Sequence, residues 1–306
     1  MHLVFAVLSM LFLSAYKMIY KQLTNEGSRS ENIFINTFLF CGILKIIIVF
    51  FVPGYHFEFR WERMLQYIPD VLCDVIASYL YIKAVKRIPI SIAAPLYLAY
   101  YPLSVILSIT IFHESVLLSQ ILAMIVIGIL ILVLSITTSK DRLNKGMEKE
   151  HLSSIPKGIS NQLNSISKGI LFALIAGIFN GLYIFLDKLW LNHGMFPEEQ
   201  ILYGGLGSIM VSFVFYFRLK RVGIRGRKYH YTLTPLLLIA IALRFLSSIA
   251  YTAAMATGEA STVIPIAASD VIVIAALSSI FLKEKLKWYQ ILSIIAFVIC
   301  IIILTI

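Results

Sequence analysis

The chain has 306 residues, of which 59% are hydrophobic and only 14% charged, with a mean hydropathy of +0.88. Soluble domains run near half apolar and about one-quarter charged, so a water-soluble globule is excluded and a lipid bilayer is the expected solvent and partner. A net charge of +10 would suggest nucleic acid in a soluble protein, but here the basic residues fall in short connections between apolar runs, where they set membrane orientation, and no nucleic-acid partner is expected.

A helix crosses about 30 Å of hydrocarbon with about 20 apolar residues. Taken in chain order, such runs predict helices at 3–20, 33–52, 65–85, 90–112 and 116–137, then at 168–188, 201–218, 234–256, 260–282 and 287–306. The first lacks the basic leader of a signal peptide and has a counterpart in the second half, so it is retained as a helix. The stretch 138–167 is polar, charged and seeded with Gly, Pro and Ser, as expected of a linker, and it separates a unit at 1–137 from one at 168–306. Cys41, Cys73 and Cys300 lie inside apolar runs with neither a disulfide nor a metal spacing, and the histidines show no ligand-like pairing, so no metal is expected. No phosphate-binding G-x-x-x-x-G-K-[ST] loop occurs and no cofactor is expected.

The second unit superposes on the first. At a constant offset of 170, Tyr81, Ser91, Pro95, Ser108, Glu114 and Gln120 meet Tyr251, Ser261, Pro265, Ser278, Glu284 and Gln290 without a gap. Earlier the offset becomes 167, pairing Tyr16 and Lys21 with Tyr183 and Lys188. Five crossings per unit make the second copy enter from the opposite side, an inverted repeat about an in-plane pseudo-two-fold axis. The expected fold is therefore an all-α integral membrane protein of ten transmembrane helices in two inverted five-helix repeats.

The segment SIAAPLYLAYYPLSVILSITIFHE with Gln120 and Gly128, and STVIPIAASDVIVIAALSSIFLKE with Gln290, each resemble the EamA domain of the drug/metabolite transporter superfamily. The resemblance implies the same ten-helix fold and export of metabolites, amino acids, nucleotide sugars or drugs through a central cavity, usually by proton or solute exchange. Where the first copy has Pro102 and Gly128, the second has Ile272 and Val298, so the central helix break that the resemblance implies is expected in the first half only.

A charge at the centre of a membrane helix costs about 2.5–3.5 kcal/mol on insertion scales and must face a partner or water. Lys45, Asp74, Arg244 and Asp270 are such charges, and they sum to neutrality. Asp74 and Arg244 occupy equivalent positions. Each heads a polar stripe, Asp74–Ser78–Tyr81 and Arg244–Ser248–Tyr251, expected to line a solute path. An ion pair that only holds two helices together is the competing reading. Asp270, five residues after Pro265, is the expected proton-coupling group, because burial penalises the charged carboxylate; a counter-ion role toward Lys45 or Arg244 competes. Asn180, Tyr183 and Asp187 share a face of the sixth segment, Tyr100 and neighbouring tyrosines enrich the fourth, and Asp70 extends the face of Asp74. Pro95, Pro102 and Pro265 are expected helix breaks, and Glu114 and Glu284 are expected caps of the following helices.

Assigning Lys17 and Lys21 to the first loop, and the remaining basic residues likewise, puts 21 Lys and Arg on one side against three on the other. The positive-inside rule then makes the odd-numbered loops cytoplasmic, in a plasma or inner membrane by default. The functional expectation is a secondary transporter, exporter or exchanger, of a small polar or amphipathic metabolite such as an amino acid, possessing a midplane site and working as a monomer. The alternatives are a multidrug or lipid-linked-sugar transporter, and a membrane scaffold or sensor. Asp70 and Asp74, one turn apart on a single helix, make a poor catalytic dyad, and an enzyme is not expected.

Overall fold

A chain that hides its polar groups and presents apolar ones to its surroundings satisfies every backbone amide internally, and among the described residues every regular element is a helix. The structure, a computed structural model, describes residues 1–52, 59–112, 157–222, 232–258, 260–283 and 288–305, with scattered positions between 122 and 133. The helices are α1 (His2–Asn25), α2 (Ser30–Val49), α3 (Trp61–Val85), α4 (Ile90–Tyr97), α5 (Tyr100–Phe112), α6 (Lys157–Asn192), α7 (Pro197–Val222), α8 (Pro235–Thr257), α9 (Ala260–Ala268), α10 (Asp270–Phe281) and α11 (Trp288–Thr305). The expected helix at 116–137, apart from those scattered positions, and the caps Glu114 and Glu284 lie outside the described residues, as do the side chains of Pro102 and Pro265.

Among the described residues, five helices are long and apolar enough to cross a membrane: His2–Asn25, Ser30–Val49, Ser165–Asn192, Pro197–Arg221 and Pro235–Thr257. Local chemistry places their ends. Pro197 and Pro235 open α7 and α8, where a missing amide costs nothing, and the Thr234 hydroxyl accepts from the Leu237 amide at 3.3 Å. Two of the boundaries that differ from the sequence reading bear on the site. Helix α6 starts at Lys157, inside the stretch read as linker, and α1 runs on to Asn25. Lys17 and Lys21 are therefore not loop residues; they lie inside the bundle, 3% and 8% exposed.

The fourth segment of each half is broken at equivalent positions, which corrects the expectation of a break in the first half only. Between α4 and α5 the Leu98 amide bonds Pro95 O and the Ala99 amide bonds Leu96 O, tight i→i−3 turns. Between α9 and α10 the Ser269 amide bonds Ile266 O and the Ile272 amide bonds Ser269 O. Pro102 can give no amide to Leu98 O, and Ile272, its counterpart, turns its amide to Ser269 rather than to the equivalent Ala268. The second half thus reaches the same break without the second proline.

Packing exchanges elements between halves: α1 lies along α8, α3 along α6, and α2 along α7. The contacts come in symmetric pairs. Lys21 Nζ donates to Val85 O and Ile88 O at the end of α3 (2.6 and 3.1 Å), and Lys188 Nζ donates to Met255 O and Gly258 O at the end of α8 (3.4 and 3.5 Å). Residues 85 and 88 shifted by 170 are 255 and 258, so each lysine caps the third helix of its own half against the negative helix terminus. Close crossings need small residues. A Cβ on Gly42 would sit 2.7 Å from Gly205 O, and one on Gly177 would sit 2.6 Å from Tyr97 O, beside the α4–α5 break. Outside, Val4, Leu11, Val214 and Phe217 are exposed, whereas Ser9, Lys17, Asp70 and Asp187 are buried, an inversion of the soluble pattern.

Candidate functional site: a charged cavity between the halves

The side chains of α1, α2, α3, α6 and α8, with those of Tyr97 on α4, Tyr100 on α5 and Ala267 on α9, enclose a cavity of about 100 Å³, which takes several waters or a small solute. Of the residues expected to bind solute, Lys45, Asp74, Ser78, Tyr100, Asn180, Arg244, Ser248 and Tyr251 line it. Tyr81 and Asp270 do not. Tyr81 is 3% exposed and packs its ring, tilted by 58° at 4.8 Å between centres, on Tyr97, which itself reaches the wall, and Asp270 stands behind Lys17.

Asp74 and Arg244 meet across the interface of the halves. Arg244 Nη2 lies 3.0 Å from both Asp74 Oδ1 and Oδ2, and Nη1 donates to Ser78 Oγ at 3.1 Å, which in turn donates to Asp74 Oδ1 at 3.1 Å. The Phe38 ring lies 4.5 Å from the guanidinium carbon, a cation–π contact that holds the guanidinium plane from α2. The pair is not sealed: its side chains keep 12% and 23% of their surface on the cavity side.

Asp270 pairs with neither Lys45 nor Arg244. Its Oδ2 accepts from Lys17 Nζ at 2.6 Å, both side chains 4% exposed, and the ammonium sits 4.7 Å from the Tyr97 ring centre and 5.4 Å from that of Tyr81. Lys17 thus ties α1 to the α9–α10 break, where Ser14 Oγ also reaches Asp270 O at 3.4 Å. Lys45 lines the cavity and has no ion pair among the described residues.

Sequence reasoning missed Lys17, Tyr16, Ser9 and Ser247, all on the cavity wall. A signal existed: Ser9, Leu13, Tyr16 and Tyr20 repeat at i, i+4, i+7 and i+11, a stripe on α1. Ser9 and Ser247 exchange hydrogen bonds with each other's carbonyls at 3.1 Å, fastening α1 to α8. Asp70 and Asp187 fall together at the other end of α3, where the Tyr67 hydroxyl donates to Asp187 Oδ1 at 3.0 Å.

No curated protein matches the chain significantly. A solved crystal structure superposes with a TM-score of 0.66 over 99% of this chain and 97% of its own length at 12% identity, a likeness of fold alone. The model of the EamA-like transporter family matches residues 1–136 and again 167–306. With two copies of that domain filling both halves of an apolar-surfaced helical chain, the protein is a multi-pass membrane protein belonging to the EamA-like transporter family.

Proposed function

We propose that the protein is a secondary transporter, exporter or exchanger, that moves a small polar or amphipathic metabolite by alternating access of the central cavity, its ten spans arranged as two inverted five-helix repeats. The observation that carries the reading is the position of the Asp74–Arg244 pair: a charged, partly open pair on the wall of a cavity built from helices of both halves. A pair serving packing alone gains nothing from facing open space. A pair facing solute presents a carboxylate and a guanidinium on the same cavity wall as the ammonium of Lys45, which has no ion pair among the described residues, and an amino acid carries the complementary charges. The equivalent breaks at Leu98–Ala99 and Ser269 give both halves a bending point, which supports a symmetric rocking motion.

A scaffold or sensor reading draws on the same pair, because Asp74 and Arg244 already satisfy each other. A thermal-shift screen of purified protein against amino acids, nucleosides, sugars and lipophilic cations, followed by flux in liposomes, separates the two. Transport predicts at least one stabilising solute that is also carried, with flux falling at least tenfold in Asp74→Asn; no stabilising solute and no flux favours the scaffold. The odd-numbered loops are proposed to be cytoplasmic. Removing Lys17, Lys21 and Lys188 from the charge count leaves the bias on the same side.

A further inference from the structure

Two acids elsewhere in the bundle meet a base at contact distance: Asp270 with Lys17 at 2.6 Å and Asp74 with Arg244 at 3.0 Å. Asp70 and Asp187 depart from this. Each is 1% exposed, and they come from facing helices, α3 and α6, within electrostatic reach of each other. Asp187 Oδ1 takes the hydroxyl of Tyr67, while Asp70 Oδ1 and Asp187 Oδ2 are buried without a hydrogen-bond partner among the described residues.

Among the described residues no basic side chain forms an ion pair with either carboxylate. From α2, Lys45 approaches but makes no ion pair with either carboxylate. On α3, Asp74 is a further negative group and is held by Arg244. On α6, Lys188 keeps its charge but directs its ammonium to the carbonyls of Met255 and Gly258 at 3.4 and 3.5 Å, and the phenols nearby are Tyr183 on α6 and Tyr251 from α8. From α7, the Gln200 amide nitrogen goes to Asp187 O at 2.7 Å and Ser208 Oγ goes to Gly204 O at 2.7 Å. Two buried carboxylates therefore lie near each other with no cation in contact with either among the described residues, and a proton added to one of them relieves the repulsion between them.

The pair is also absent from the other half. The positions equivalent to Tyr67, Asp70 and Asp187 are Leu237, Ala240 and Tyr20, all buried. The same place in the fold is thus filled without acid, so packing does not demand these carboxylates. Beside Asp70 lies a hollow of about 10 Å³, close to one water, that shares Lys45, Asp74 and Tyr183 with the wall of the main cavity.

We propose that Asp70 and Asp187 form a site for a single proton, with Tyr67 as its fixed donor, beside the central cavity. The proton arrives from cavity water by way of the hollow and bonds to Asp70 Oδ1 or Asp187 Oδ2, the two oxygens without partners. It leaves by the same route, and no other bond changes. A sodium ion fits the site poorly, since the ammonium of Lys45 flanks it and few neutral oxygens converge there. That this proton drives solute movement rests on the transport reading; that the pair holds a proton does not.

The test uses full-length protein in nanodiscs with no solute present, stepped through pH under infrared difference spectroscopy. Wild type is expected to show one protonated-carboxyl band that vanishes as pH rises. Asp70→Asn and Asp187→Asn should each lose it, and Asp270→Asn should keep it. Tyr67→Phe keeps both acids and removes the hydroxyl that favours the ionised form, so its band should persist to higher pH. A band retained in both asparagine variants, no band at any pH, an unmoved midpoint in Tyr67→Phe, or loss of the band on adding sodium at fixed pH would each overturn the assignment. Failure here leaves the transport reading standing, and failure of flux leaves this band unaffected.

Discussion

Replacing Lys17 by methionine removes the ammonium and keeps most of the volume. At the 2.6 Å separation of Lys17 Nζ and Asp270 Oδ2, an effective dielectric constant of 20 gives an attraction of about 6 kcal/mol. Desolvation of both groups offsets much of this in the intact pair, so its net contribution is small. The single variant is different, because the Asp270 side chain, 4% exposed, stays buried without a counter-charge, at a cost of about 3–5 kcal/mol. The lost cation–π contacts with Tyr97 and Tyr81 add about 0.5–2 kcal/mol. Asp270→Leu alone should cost a similar amount by stranding the ammonium. The double variant, with two apolar groups in the same space, should return to within about 2 kcal/mol of wild type. Reversible unfolding of purified protein in mixed micelles measures all four corners of this cycle. If the single effects simply add in the double variant, the two residues do not act as a buried pair and the account of how α1 is tied to the α9–α10 break is wrong.

Lys21→Met and Lys188→Met should both destabilise, by about 1.5–3 kcal/mol for Lys21, whose contacts are 2.6 and 3.1 Å, and by less for Lys188, whose contacts are 3.4 and 3.5 Å, read by the same unfolding assay. Gly177→Ala places a methyl 2.6 Å from Tyr97 O, a backbone atom that cannot swing aside, and should cost about 1–3 kcal/mol in thermal unfolding. A reporter active only in the cytosol, fused after Ile306, should be silent if the odd-numbered loops are cytoplasmic and ten helices cross.

Much of the architecture was legible because it rests on periodic apolar runs and on an exact numerical offset. The offset that aligned Pro95 with Pro265 also placed Asp74 opposite Arg244, and these two are in contact. Where the reading failed, local rules competed with tertiary ones. Lys17 lies in the last turn of the expected first helix and Lys21 just past its end, so sorting charges by loop assigned both to the first connection; both are instead buried, Lys17 against Asp270 and Lys21 on the end of α3. The break before Asp270 was hidden because Ile272 has an amide to give, and only the fold shows that it is given to Ser269. The Asp70–Asp187 neighbourhood joins residues far apart in the chain whose equivalents in the other half are apolar or aromatic, so neither spacing nor repeat could pair them.

The central claim is that the cavity between the halves opens to each side of the membrane in turn. Ser248 lines that cavity on the second half. With Cys41, Cys73 and Cys300 replaced by alanine, a cysteine introduced as Ser248→Cys can be probed in sealed vesicles with a membrane-impermeant thiol reagent applied from one side or the other. The account predicts labelling from both sides, with a solute that stabilises the protein slowing both reactions. Labelling from one side alone, whatever the conditions, would contradict it.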